Sequence, residues 1–97
     1  MLPILNLPPK TVNEIRTYGI NWGARFQSGE YITSSVWNVP NGLEVRSVGL
    51  SQEYSSVALI TVAGGLARKK YRIINRISTS TGQLLEIAAN LEVHSYA

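Results

Sequence analysis

Between Tyr71 and His94 the chain changes face at nearly every residue, and this alternation limits the fold more than any other feature. Tyr71, Ile73, Asn75 and Ile77 fall on one face of an extended segment, and Arg72, Ile74, Arg76 and Ser78 on the other. After the turn STSTGQ, with Gly82 as its turn glycine, Leu85, Ile87, Ala89, Leu91 and Val93 alternate with Glu86, Ala88, Asn90, Glu92 and His94. A period of two belongs to a strand, so the two runs are expected to form a long antiparallel hairpin. Arg72 and Arg76 on one strand, facing Glu86, Glu92 and His94 on the other, would supply cross-strand charge pairs of roughly 0.2–1 kcal/mol each. Much of the basic character of this region is explained in that way, without nucleic acid.

The rest of the chain reads as shorter strands between turns. EIRTYGINW and EYITSSVWNV are separated by a Gly-containing connection and stopped by Pro40, Asn41 and Gly42. In GLEVRSVGL, Leu43 and Val45 share a face opposite Glu44 and Arg46, with Gly49 marking a bulge or the strand's end. YSSVALITVAG is apolar on nearly both faces and reads as a central strand. Six strands at near-regular spacing, with no sustained 3.6-residue period, predict an all-β, Ig-like antiparallel β-sandwich over residues 14–97. A glycine-rich corner, GGLARKK, leads directly into Tyr71, where such sandwiches place a tyrosine whose hydroxyl bonds back to the upstream backbone. Tyr71 is read as that tyrosine corner, and Trp22 and Trp37 as core fillers. Residues 1–13 form an extended, proline-rich arm. Leu2, Ile4, Leu5 and Leu7 are too apolar for a free tail, so the arm covers its own domain's edge or docks on another subunit.

Composition narrows the chemistry. Ninety-seven residues make one domain. With no cysteine there are neither disulfides nor thiolate metal sites. There is also no aspartate, the six glutamates are scattered, and His94 is the single histidine. These facts speak against clustered calcium ligands, a two-histidine zinc site, a Ser-His-Asp arrangement and a converging carboxyl pair. No catalytic residue, metal or cofactor is expected, and His94 reads as a solvated surface residue. Gly64 and Gly65 lack the Lys-Ser/Thr and following helix of a phosphate loop and are read as turn glycines. The opening MLPILNLPPK is interrupted by Pro3, Pro8 and Pro9, too short for a signal-peptide core or a membrane span, so a soluble chain is expected. The net charge of +3 and the cluster Arg68, Lys69, Lys70, Arg72 and Arg76 are compatible with single-stranded nucleic acid. An acidic protein surface is the preferred target, because Tyr71 has a structural post and exposed ring neighbours are lacking.

With the strands placed, YGINWGARFQSGEYITSSVWNVPNGLEV and GGLARKKYRIINRISTSTGQL resemble the small phage and prophage fibre-to-tail adaptor family. Trp22, Gly29, Glu30, Ile32, Ser35, Trp37, Val39, Pro40, Gly42 and Leu43 stand at that family's pattern positions, as do Gly64, Gly65, Tyr71, Asn75, Ile77, Thr79 and Gly82. The resemblance covers residues 14–95. It departs at Asn21, where the pattern has an acid, and at the corner ARKK, which is more basic than the family's small polar residues. The resemblance implies an Ig-like, non-enzymatic virion component made in the host cytoplasm and seated on the tail. It implies many copies in a ring, linking fibres or spikes to the tail tube. The arm (Leu2, Ile4, Leu5, Leu7) and the basic corner (Arg68, Lys69, Lys70, Arg72) are the expected contact surfaces to other tail proteins. The alternative reading is an Ig-like capsid decoration or host-surface binding module.

Overall fold

The computed structural model describes residues 4–95. In chain order its strands are β1 (Ile4–Asn6), β2 (Lys10–Thr11), β3 (Arg16–Asn21), β4 (Ile32–Asn38), β5 (Leu43–Leu50), β6 (Val57–Gly64), β7 (Lys69–Thr79) and β8 (Leu84–His94). A single 3-10 turn, Gly23–Arg25, follows β3. One sheet runs β1-β8-β7-β4 with β2 also on β8, and the other runs β3-β6-β5. The fold is an all-β, Ig-like sandwich. The six expected strands are β3 to β8, all paired antiparallel within their sheets. The departure from a purely antiparallel sandwich lies in the arm, because β1 and β2 both run parallel to β8.

The prolines explain the arm's position. Lacking an N–H, proline is confined to edge strands and bulges. Leu7 still donates its amide to the Asn90 carbonyl at 2.9 Å. From Asn6↔Asn90 to Lys10↔Val93 the arm advances four residues while β8 advances three. The extra residue makes Pro8-Pro9 a bulge, which turns Lys10 to the inner face beside buried Val93.

The alternation in β7 and β8 sorts as expected. Tyr71, Ile73, Asn75, Ile77 and Thr79 are buried on β7, facing Ala58, Ile60 and Val62 of the central strand β6. In strand β5, Gly49 stands one residue before the end at Leu50 rather than at the bulge. The bulge falls between Val45 and Ser47, and Gly49 sits in regular register opposite Leu59. Val45 and Val48 pair with fully buried Val62 and Ile60, so they point inward, yet they remain 44% and 55% exposed. β5 is the edge of the smaller sheet: Leu43 and Leu50 at its ends pack on the core, and the residues between them stay exposed.

A buried hydrogen-bond network joins the sheets. The Trp22 indole, at the end of β3, donates to Asn75 Oδ1 on β7 at 3.0 Å. Asn75 Nδ2 donates in turn to Ser35 Oγ at 3.0 Å and to the Val36 carbonyl at 3.2 Å, fixing β4 to the same point. Trp22 is buried, whereas Trp37 is half-buried and packs against both halves of the core. The Trp37 Nε1 is buried with no hydrogen-bond partner among the described residues. Asn75→Ala removes these bonds, orphans the Trp22 indole and opens a cavity, so it should cost about 2–4 kcal/mol, read as a lower urea midpoint.

Candidate functional site

The basic corner is held rigidly from below. Gly65 donates its amide to the Gly42 carbonyl at 2.9 Å, and the Leu66 amide donates to the Tyr71 hydroxyl at 2.9 Å, which is tyrosine-corner geometry. Two glycines make room for the ring. Gly42 has φ 108°, and a Cβ there would lie 3.0 Å from the Tyr71 hydroxyl. Gly65 has φ 94°, and its Cβ would meet Val93 Cγ2 at 2.8 Å. Beyond them Arg68 adopts φ 66°, uncommon for a residue with a side chain, and donates its amide to the Val93 carbonyl at 2.7 Å. The Lys69 ammonium lies 5.2 Å from the Tyr71 ring centroid, within cation–π range.

These constraints present Leu66, Arg68, Lys69, Lys70 and Arg72 to solvent. Among the described residues none of these four cations makes an ion pair. The expected cross-strand pairing forms at Arg76 alone, whose Nε and Nη2 reach Glu86 Oε2 at 2.8 and 2.5 Å. Arg72 instead sits opposite Asn90, and Glu92, opposite Lys70, lies 3.2 Å from His94 on its own strand.

The arm and the corner meet. A groove is lined by Asn6, Leu7 and Pro9 of the arm, Lys70 of β7, and Asn90, Glu92 and His94 of β8. Ile4 and Leu5 are 46% and 38% exposed, whereas Leu7 tucks against the core cluster of Tyr18, Ile60 and Leu91. The arm also straps the two sheets together on this side. Tyr18 on β3 donates its hydroxyl to the Pro8 carbonyl at 2.8 Å, and Arg16 donates to the Pro9 carbonyl at 3.2 Å. Of the two placements open to the arm, residues 4–11 lie on their own domain; Leu2 is outside the described residues. Gly82, with φ 85°, ends the β7–β8 turn at the opposite end of the sandwich.

Two polar anchors escaped the sequence reading. Lys10 is 1% exposed, and its ammonium donates to the carbonyls of Thr11 at 2.7 Å and Gly64 at 2.6 Å, tying the arm to the corner. Burial holds its pKa below the ordinary lysine value, against the opposing pull of Glu14. A lone lysine after two prolines looks like a solvent-facing cap, and only the bulge turns it inward. At the far end, Glu30 accepts from the Gln27 amide at 2.8 Å and from the hydroxyls of Thr79, at 2.5 Å, and Thr81. Those donors, the Thr79 hydroxyl foremost, hold its pKa below the usual carboxylate value. The one sequence signal was that Glu30 and Thr79 both stand in the family pattern.

Among the described residues no group of three or more His, Cys, Asp or Glu side chains converges on a point, and no helix is long and apolar enough to cross a membrane. Residues 10–92 match the family model described as podophage GP4 fiber-tail adaptor protein gp77, and the chain belongs to that family. Membership makes it a structural component of the phage virion that associates with other tail proteins. No curated protein matches the chain. Among solved structures it is similar to the PKD domain from KIAA 1837 protein, at 20% identity and a TM-score of 0.43, over 99% of this chain and 84% of that one.

The anchors set two expectations. Because Glu30 is more acidic folded than unfolded, its contribution is complete above the ordinary glutamate pKa of roughly 4.3 and is lost as pH falls through its folded value. Glu30→Gln should therefore lower stability at neutral pH and flatten the acid limb of a stability-against-pH curve. Glu14, held low chiefly by the Thr11 amide, retains its own share of that slope. Lys10→Ala leaves two carbonyls without their donor and should cost about 1–3 kcal/mol, with faster amide exchange at Leu7 and Val12 than at Ile73.

Proposed function

We propose that the protein is a non-enzymatic adaptor, present in several copies side by side on the tail, that links fibres or spikes to the tail. The observation that carries this reading is the continuity of the arm with the basic corner. Leu7 and Pro9 line the groove beside Lys70, and Arg68, Lys69, Lys70 and Arg72 supply a cationic part with no ion partner among the described residues. Such a surface fits an acidic, partly apolar face of a neighbouring tail protein. Its charges would speed and orient docking, while the apolar edge contributes the buried area. Rigidity supports the same reading, because Tyr71, Gly42 and Gly65 hold the corner in one shape and reduce the ordering cost on binding.

Charge reversal tests it. Arg68→Glu combined with Lys70→Glu changes exposed side chains only, so the melting temperature should stay within a few degrees of the parent's, each surface change being worth about 0.5 kcal/mol or less. Incorporation into tails should fall at least tenfold, measured as the protein's share of purified particles. Normal incorporation of the doubly reversed protein would remove the corner from the interface.

A further inference from the structure

We infer that neighbouring copies join edge to edge, with β1 of one copy adding as a parallel strand to β4 of the next. The proposal rests on the reading of several copies side by side and names the contact between them. The larger sheet has two free edges, β1 on one side and β4 on the other. Natural sheets blunt such edges with charges, prolines or a covering segment. Neither ILN of β1 nor ITSSVWN of β4 contains a charged residue or a proline, so only the shortness of β1 and the bulge between Ile32 and Ser34 of β4 guard these edges.

Direction and register both fit. β4 is antiparallel to β7, β7 is antiparallel to β8, and β1 is parallel to β8, so β1 and β4 run the same way. A neighbour in the same orientation therefore forms a parallel pair and continues the sheet. Ile4 pairs with Ala88 and Val36 with Arg76 on the outer face, while Leu5 pairs with buried Ala89 and Trp37 with buried Asn75 on the inner face. Setting Ile4 beside Val36 places Leu5 beside Trp37 and Asn6 beside Asn38, matching apolar with apolar and amide with amide.

The open flank of the sandwich receives the inner side of this contact. The arm straps the flank where β3 lies, so β5 is on the flank of β4. There Val45 and Val48 point inward but stay exposed. A neighbour's Leu5, arriving beside Trp37, covers this strip.

Charge selects a head-to-tail order. With Arg76 and Glu86 already paired within each copy, β7, next to β4, still holds two lysines and Arg72 and no acid, whereas β8, next to β1, still holds Glu92 and no lysine or arginine. Joining β4 to β1 puts a basic strand opposite an acidic one, three strand intervals or about 14 Å apart. Joining β4 to β4, or β1 to β1, opposes like charges at the same spacing. With a screening length of about 8 Å, this difference sets orientation more than affinity. Head-to-tail contacts are heterologous and generate rings when the rotation closes.

The absence of cysteine makes the test clean. Ile4→Cys and Val36→Cys together, on side chains 46% and 62% exposed, should give a ladder of dimers, trimers and larger species when concentrated protein meets a short bis-maleimide. Each single variant should give no more than a trace of dimer. No species beyond dimer from the double variant, or equal dimer from either single variant, would overturn the proposal. Without cysteines, Val36→Lys should reduce the parent's concentration-dependent sedimentation at least tenfold; unchanged sedimentation would count equally against it. Both readouts use purified protein, so they stand apart from tail incorporation: a ladder with unaltered corner variants keeps this contact and removes the corner, and the reverse removes this contact alone.

Discussion

The bond between the Trp22 indole and Asn75 is the constraint on which the rest of the sandwich depends. Two sheets packed by apolar faces alone can slide, because the hydrophobic effect has no direction. One buried indole N–H that must find a carbonyl oxygen removes that freedom. Asn75 then uses its amide nitrogen on Ser35 and Val36, so β3, β7 and β4 are referenced to a single side chain. An unsatisfied group here would cost on the order of 1–3 kcal/mol, so alternative registers are disfavoured as a set.

The family's pattern residues gather around three such points. Trp22, Ser35 and Asn75 make the central one. Gly42, Gly64, Gly65 and Tyr71 make the corner, where absent side chains matter as much as the hydroxyl. Gly29, Glu30, Thr79 and Gly82 make the third, in which a carboxylate from the β3–β4 connection caps the turn between β7 and β8. They fix the centre of the sandwich, the corner and the β7–β8 turn.

The two flanks of the molecule are unlike for a simple reason. Residues 4–11 cover one flank, with Lys10, Pro8 and Pro9 bonded to groups outside the arm, and among the described residues no equivalent segment covers the other. The uncovered side carries Val45, Val48 and half-buried Trp37. Asymmetry of this kind suits heterologous contacts better than a two-fold pair, which uses the same patch twice.

The strands of the long hairpin, the inward set Tyr71, Ile73, Asn75 and Ile77, and the six-strand sandwich were legible in the sequence because period-two burial is local. The tyrosine corner was legible too, since Gly64, Gly65 and the ring lie within eight residues of one another, whereas the part played by the distant Gly42 was not. Lys10 was not: its inward direction comes from a one-residue slip against β8, more than eighty residues away in the chain. Nor was the exposure of Val45 and Val48, whose pattern is that of buried residues and whose environment depends on how far the opposite sheet extends. The lack of an ion partner for Arg72 among the described residues follows from register, which sets Asn90 opposite it where the count of charges had suggested a glutamate. By itself, then, the sequence determined which residues of β7 and β8 face inward, because side-chain direction alternates along an unbulged extended backbone. Only the tertiary structure decided which of those residues are covered and which charges are matched, because covering and matching require partners from distant parts of the chain.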